Sequence, residues 1–476
     1  MIKEHLISRL KYHLFHEPTN SQSITMNLMA DFLSSTKKMP VFVLKGYAGT
    51  GKTSLVASFV KMLDEFGIQS VLTAPTGRAA KVLSSMVEKP AYTIHKKIYR
   101  QVTSKDGFGG FQLNKNLSKD TVFVVDEASM ISNETFGNSI FGSGLLLNDL
   151  LNFVFESPNC RLMLIGDTAQ LPPVGLELSP ALNELSFDNN SYDLYSVELT
   201  DIVRQSKKSG ILHNATNLRK LLKNNLPINK FPKFSLSGFS DIKSISGIDF
   251  QEELSQCYDL YGLEDTLVIC RTNKRANLFN KGIRNSILLQ ESELSVGDYL
   301  LVMKNNYHWL KENDIVNFIA NGDIVRVIKV KKHYDLYGYR FADLICQMLD
   351  YKELEINVRV ILDSLVSDGP GFSQEEQERF LKCVLEDYID EPSIKKRYEL
   401  ARENDFYNAL QIKFAYSMTC HKSQGGQWKA VFIDLGYFTE NYLSRELLRW
   451  LYTAVTRAVD RLYLVNFPKE FFLSSN

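Results

Sequence analysis

The chain has 476 residues, 44% hydrophobic and 23% charged, with 55 basic side chains balanced by 55 acidic ones. This composition belongs to a globular protein with room for about three domains, and it excludes a low-complexity chain. The charge balance leaves no global field to draw in nucleic acid, so any such surface has to be local.

Met1-Ile2-Lys3-Glu4-His5 starts no signal peptide, and no apolar run reaches membrane length. A cytoplasmic protein with no membrane partner is expected. Six cysteines (Cys160, Cys257, Cys270, Cys346, Cys383 and Cys420) are scattered without a Cys-x-x-Cys pair. They read as reduced core residues, not as disulfides or a zinc site.

In chain order, residues 1–40 read as helical, with Gln22 on the segment before the first strand, Val41-Phe42-Val43-Leu44. That strand leads into Gly46-Tyr47-Ala48-Gly49-Thr50-Gly51-Lys52-Thr53, and Ser54 to Leu63 has helical spacing. Strand, glycine-rich turn and helix start together are the context that makes this spacing a P-loop. Glycines let the backbone bend around phosphates, N–H groups and the positive helix end face the anion, and Lys52 adds a mobile charge. Thr53 offers its hydroxyl to Mg²⁺. This is a nucleotide site.

Ser70 to Ala74 is a strand followed by Pro75-Thr76-Gly77-Arg78 and a helix from Ala79. Residues 101–120 hold Gly107, Gly109 and Gly110 around Phe108 and Phe111, the pattern of an exposed hairpin or loop. Thr121 to Val125 is a buried strand ending at Asp126-Glu127. Asp126 is placed to hold Mg²⁺, and Glu127 to polarise an attacking water. Leu162 to Ile165 is the next strand, and its end runs from Gly166 through Gln170 to Gly175. Gln170 carries an amide able to sense a γ-phosphate. Repeated strand–helix units with polar strand ends predict a parallel sheet with ligands at its carboxyl edge.

A second unit of the same kind begins after about residue 200, with strands at Thr266–Cys270, Val431–Leu435 and Arg461–Val465. Inside it, residues 294–332 alternate like a small antiparallel barrel, and residues 373–405 are charged with helical spacing. For those helices contact with DNA, contact with a partner and a solvated face all stay open, the solvated face being preferred. Residues 131–160 and 176–196 carry no interpretable signal. Arg204 and Arg457 read by themselves as surface salt bridges, and it is the resemblance given below that raises them to arginines completing a γ-phosphate pocket from the opposite domain.

The ordered set of motifs resembles the superfamily 1B DNA helicases, the RecD-like and Dda-like group. It comprises Gln22, Gly46 to Thr53, Ala74 to Ala80, Thr93-Ile94-His95 and Val125 to Met130. It continues through Gly166 to Gly175, Arg204-Gln205, Thr419 to Gly425 and Tyr452 to Arg457. The resemblance implies an α/β fold of two RecA-like P-loop motor domains, with a small wedge hairpin in the first and an SH3-like β-barrel insert in the second. The implied spans are 1–199 with the hairpin at about 100–120, then 200–292 joined to 408–476, and the insert over 293–407.

The implied function is an ATP-dependent 5′-to-3′ helicase or translocase on single-stranded DNA and duplex junctions, with ATP and Mg²⁺ as ligands. By family role Lys52, Glu127, Gln170, Arg204 and Arg457 act in hydrolysis. Gln22 holds the adenine, and Gly46, Gly49, Thr50, Gly51, Lys52, Thr53, Ser54, Gln424 and Gly425 line the nucleotide. Pro75, Thr76, His95, Asn273, Thr419, His421 and Ser423 lie along the DNA, where hydroxyls and amides grip phosphates without reading bases. For His95, and less so for His421, a packed or surface histidine is the alternative. Either Phe108 or Phe111 stacks on the junction pair, or the glycine-rich loop tucks a phenylalanine inward. Three rival functions stay open: an RNA helicase, a nucleotide-gated single-strand clamp, and a motor subunit of a larger nuclease. With about twenty residues ahead of Gln22, a stand-alone monomer is expected; protein partners are unknown.

Overall fold

Short runs of β-branched and aromatic residues, too apolar to face water on either side, build two parallel sheets. The computed structural model describes residues 2–102, 110–134, 142–188, 190–202, 209–224, 230–310, 318–349, 351, 354–369, 371–438 and 443–473. Arg204 and Phe108 therefore lie outside the described residues. The first sheet has six parallel strands in the order Ala91–Thr93, Gln69–Ala74, Thr121–Val125, Arg161–Gly166, Pro40–Gly46 and Asp193–Leu199. Helices Ile2–His13, Asn20–Ser34 and Lys52–Glu65 cover one face, where Leu10, Met29, Phe32 and Phe59 are wholly buried. Helix Leu146–Glu156 covers the other, inside a stretch the sequence left unread.

The second sheet has five parallel strands in the order Ser417–Thr419, Thr266–Cys270, Trp428–Asp434, Ala458–Val465 and Ile242–Ile245. Its core is not closed on itself: Tyr47, Ala169 and Leu171, from loops of the first sheet, are buried within it. The two sheets thus share apolar surface where the glycine-rich turn lies.

Tyr299–Val302, Ile324–Leu336, Tyr339–Met348, Glu355–Ile361 and Leu410–Phe414 close into a barrel. All its pairings are antiparallel except that of Glu355–Ile361 with Leu410–Phe414. The closing strand lies past residue 407, where the insert was expected to end, because helices Gln374–Glu386 and Ile394–Glu403 interrupt the barrel's sequence. Those charged helices are amphipathic. Phe380, Val384 and Ala401 are buried against Tyr339 and Phe341 on the barrel, and the charged faces meet solvent.

Tyr99–Val102 and Gly110–Leu113 pair as an antiparallel hairpin beside the first sheet. The Phe111 ring lies 4.2 Å from that of Tyr307, which itself stacks on Phe318 at 5.1 Å. The hairpin is therefore docked on the barrel region through an aromatic contact.

Candidate active site between the two sheets

The glycine-rich turn leaves the carboxyl end of Pro40–Gly46 and opens helix Lys52–Glu65. Gly49 and Gly51 adopt φ of +75° and +78°, which β-carbon-bearing residues rarely do. At Gly46 an added Cβ would stand 2.8 Å from Lys52 Cγ and 3.0 Å from Thr50 Oγ1. The helix start has no side-chain cap, so its leading N–H groups are open to an anion. Lys52 Nζ folds over the turn and donates to the carbonyls of Gly46 at 2.7 Å and Tyr47 at 3.1 Å. Gln22 is wholly buried. Its Nε2 donates to the Thr50 carbonyl at 3.2 Å, and its Oε1 accepts from the Thr19 N–H at 3.0 Å. It braces the turn from behind, a placement different from an open adenine contact.

Asp126 and Asp167 follow the neighbouring strands Thr121–Val125 and Arg161–Gly166, so both carboxylates reach the same edge as the turn. Burial and the negative charge of Glu127 push the Asp126 carboxyl up to about 6, against the pull of Lys52. Burial raises Asp167 too, with Lys52 and the Tyr452 hydroxyl drawing it back. Lys52 is therefore within electrostatic reach of both. Glu127 takes a left-handed φ of +52°, a conformation that costs a side-chain-bearing residue about 1–2 kcal/mol and turns the chain sharply after the strand.

The second sheet grips this edge. Helix Arg445–Val455 presents Tyr452, whose hydroxyl donates to Asp167 Oδ2 at 2.6 Å and accepts from the Ala48 N–H at 2.9 Å. One turn away on the same helix, Arg449 donates to the carbonyls of Thr168 and Gln170, and Thr453 Oγ1 accepts from the Leu171 N–H at 2.9 Å. Gln424 Nε2 donates to the Leu171 carbonyl at 2.7 Å. Gln170 sits inside this clasp, 6% exposed, and its Oε1 has no hydrogen-bond partner among the described residues.

Arg457 is 3% exposed. Its guanidinium donates only to the carbonyls of Thr453 and Gly426 and to Thr456 Oγ1, with no carboxylate beside it among the described residues. A buried cation held by neutral acceptors is electrostatically suited to an anion. Sequence reasoning singled out Gln170, Gln424 and Arg457 but assigned nothing to Asp167, Tyr452 or Arg449. Tyr452 opens a recognised block, and only its position there hinted at use.

Of the residues expected along a nucleic-acid strand, Thr76 caps helix Gly77–Val87, and Asn273 opens helix Asn273–Gly282 at the end of Thr266–Cys270. Pro75 and Thr419 are half buried at strand ends, and His421 is exposed. Burial lowers the His95 imidazole to about 4. Ser423 departs from expectation: it is wholly buried and its hydroxyl donates to the Cys420 carbonyl at 2.8 Å, which shapes the turn and leaves nothing for a strand. The Phe111 ring packs on Tyr307, as in the inward-tucked alternative. Gly425 has φ of +75°, and an added Cβ would meet Ala79 Cβ at 2.8 Å and Thr76 Oγ1 at 3.0 Å. The two sheets touch there through bare backbone.

Residues 26–224 match the AAA domain family, and residues 414–465 match the UvrD-like helicase C-terminal domain. The chain is 25% identical to the uncharacterized protein R530 of Acanthamoeba polyphaga mimivirus, over 93% of this chain and 98% of that one. It is 24% identical to the ATP-dependent RecD2 DNA helicase of Deinococcus radiodurans, over 88% of this chain but 46% of that protein's length. Identity to the ATP-dependent DNA helicase dda of Enterobacteria phage T4 is 26%, over 67% of this chain and 69% of that one. With the nucleotide-site geometry and both family matches in agreement, the chain belongs to the superfamily 1 DNA helicase clade, among relatives of RecD and Dda.

Proposed function

We propose that the chain is an ATP-driven DNA helicase that moves 5′ to 3′ on a single strand and opens duplex at a junction. The observation that carries this reading is the grip of helix Arg445–Val455 on the loop after Asp167, which makes the P-loop's surroundings a property of both sheets. A nucleotide bound there is felt by both halves, which is the requirement for a motor with two RecA-like domains. Two of the relatives carry the name DNA helicase, which supports DNA over RNA as the substrate class.

In this reading the open helix start and Lys52 take the phosphates, and Glu127 polarises the attacking water. Arg457, joined by Arg204, meets charge developing on the γ-phosphate, and Gln170 senses that group. Thr53 and Asp126 are hard oxygen donors, and among the described residues no cluster of three or more metal-ligating side chains completes a cage. That set suits Mg²⁺, which takes its remaining ligands from phosphate and water. When bound, the ion neutralises charge on the phosphates. Pro75, Thr76, His95, Asn273, Thr419 and His421 line the strand, Gln424 and Gly425 link it to the nucleotide, and Phe108 is the wedge residue.

The test is ATP-dependent unwinding of two partial duplexes, one with a 5′ tail and one with a 3′ tail, with matched RNA versions alongside. Opening of the 5′-tailed DNA alone is expected. Opening from the 3′ tail would overturn the polarity, and ATP turnover with neither duplex opened would leave a translocase or clamp.

A further inference from the structure

One bond of the clasp ties a backbone donor of the glycine-rich turn itself to the other sheet. The Ala48 N–H, a backbone donor of the turn that wraps phosphate, is occupied at 2.9 Å by the Tyr452 hydroxyl from the other sheet. That hydroxyl is simultaneously tied to Asp167 at 2.6 Å, and the Tyr452 side chain is 1% exposed. Asp167 in turn feels Lys52, so the same small network holds the loop's amide, its lysine's partner field and the second sheet's helix.

Resting on the ATPase reading above, we propose that Tyr452 is a positioning residue that reports phosphate occupancy of the P-loop to the second sheet by competing for the Ala48 N–H. With the site empty, the hydroxyl holds the amide and fastens the helix to the turn. A terminal phosphate takes that amide, because a charged oxygen is the stronger acceptor. The hydroxyl then keeps Asp167 alone, and helix Arg445–Val455 is released from the turn while remaining attached to the loop after Asp167. The change passes along the helix to Arg457, whose Nε donates to the Thr453 carbonyl at 3.1 Å.

The sign of the effect on affinity separates this from a purely structural tyrosine. In Tyr452→Phe the ring still fills its site, but without nucleotide the part-buried Ala48 N–H loses its partner. Phosphate binding repairs that donor in the variant and merely exchanges its partner in the wild type. The variant therefore binds ATPγS about three- to tenfold more tightly, the scale of one net hydrogen bond. A residue that only braced the fold would weaken binding when truncated.

The experiment measures ATPγS affinity by calorimetry for wild type and Tyr452→Phe, with ATP turnover with and without single-stranded DNA. Thr453→Val, which removes a neighbouring clasp without touching the turn, is the control. Tighter ATPγS binding in Tyr452→Phe, a smaller DNA stimulation of turnover, and no gain in affinity for Thr453→Val support the proposal. Unchanged or weaker binding in a Tyr452→Phe protein with wild-type circular dichroism overturns it. If the wild type itself neither binds ATPγS nor hydrolyses ATP, the ATPase reading falls first; if it does both and Tyr452→Phe matches it, only the role of Tyr452 falls.

Discussion

The guanidinium of Arg78, on helix Gly77–Val87 beside the first sheet, lies 4.1 Å from the centre of the ring of Trp428, which opens a strand of the second sheet. Trp428 is 3% exposed and also lies under Gly426, so the arginine closes the open side of a buried indole. Arg78→Ala should remove about 0.5–2 kcal/mol of interface and let water reach Trp428. The expected readout is a red shift of tryptophan emission together with weaker stimulation of ATP turnover by single-stranded DNA.

Three substitutions separate binding from turnover at the P-loop edge. Lys52→Ala should lose nucleotide affinity. Glu127→Gln should bind ATP but turn over about 10²–10⁴-fold more slowly, the range for a missing general base. Arg457→Lys keeps a cation but not the fork that spans Thr453, Thr456 and Gly426, so turnover should fall at least about 100-fold with binding little changed. Equilibrium binding and steady-state turnover of the three proteins check this. Normal turnover in Glu127→Gln would remove that residue from the base role.

Arg284 and Asp298 form a buried ion pair with contacts of 3.0 and 2.9 Å, and Asp298 also accepts from the Tyr416 hydroxyl at 2.8 Å. The pair ties the helical turn Ile283–Ile287 to Asp298, the residue just before the barrel's first strand. Arg284→Met strands a buried carboxylate and should destabilise the protein by about 3–5 kcal/mol. Urea unfolding followed by tryptophan emission measures it.

His95 gives a dependence on pH. Burial holds its imidazole at about 4 against an ordinary 6.5, so the folded protein refuses a proton that the unfolded chain accepts. Stability is therefore full above 6.5 and declines as pH falls from there toward 4. In His95→Gln that part of the decline should vanish, as thermal unfolding across this pH range would record.

The P-loop, its carboxylate strand and both parallel sheets were legible because buried parallel strands are continuous apolar runs and glycines mark the turn. The barrel was legible only at its start. Leu410–Phe414 closes it after two charged helices, and no local pattern tells a strand which distant neighbour it will pair with. Side-chain direction was illegible as well. Gln22 and Ser423 sit in the recognised motifs, yet both are wholly buried and turned toward backbone. Tyr452 and Asp167 are 285 positions apart, so their bond exists only in the fold.

The barrel's closing strand, Leu410–Phe414, is joined to strand Ser417–Thr419 of the second sheet by Ala415 and Tyr416 alone. Both linking residues are buried, and the Tyr416 hydroxyl is anchored to Asp298. A joint that short has no slack. Any tilt of the barrel is geared directly into Thr419 and His421, so a load met by the barrel becomes a pull on the very residues proposed to hold the strand.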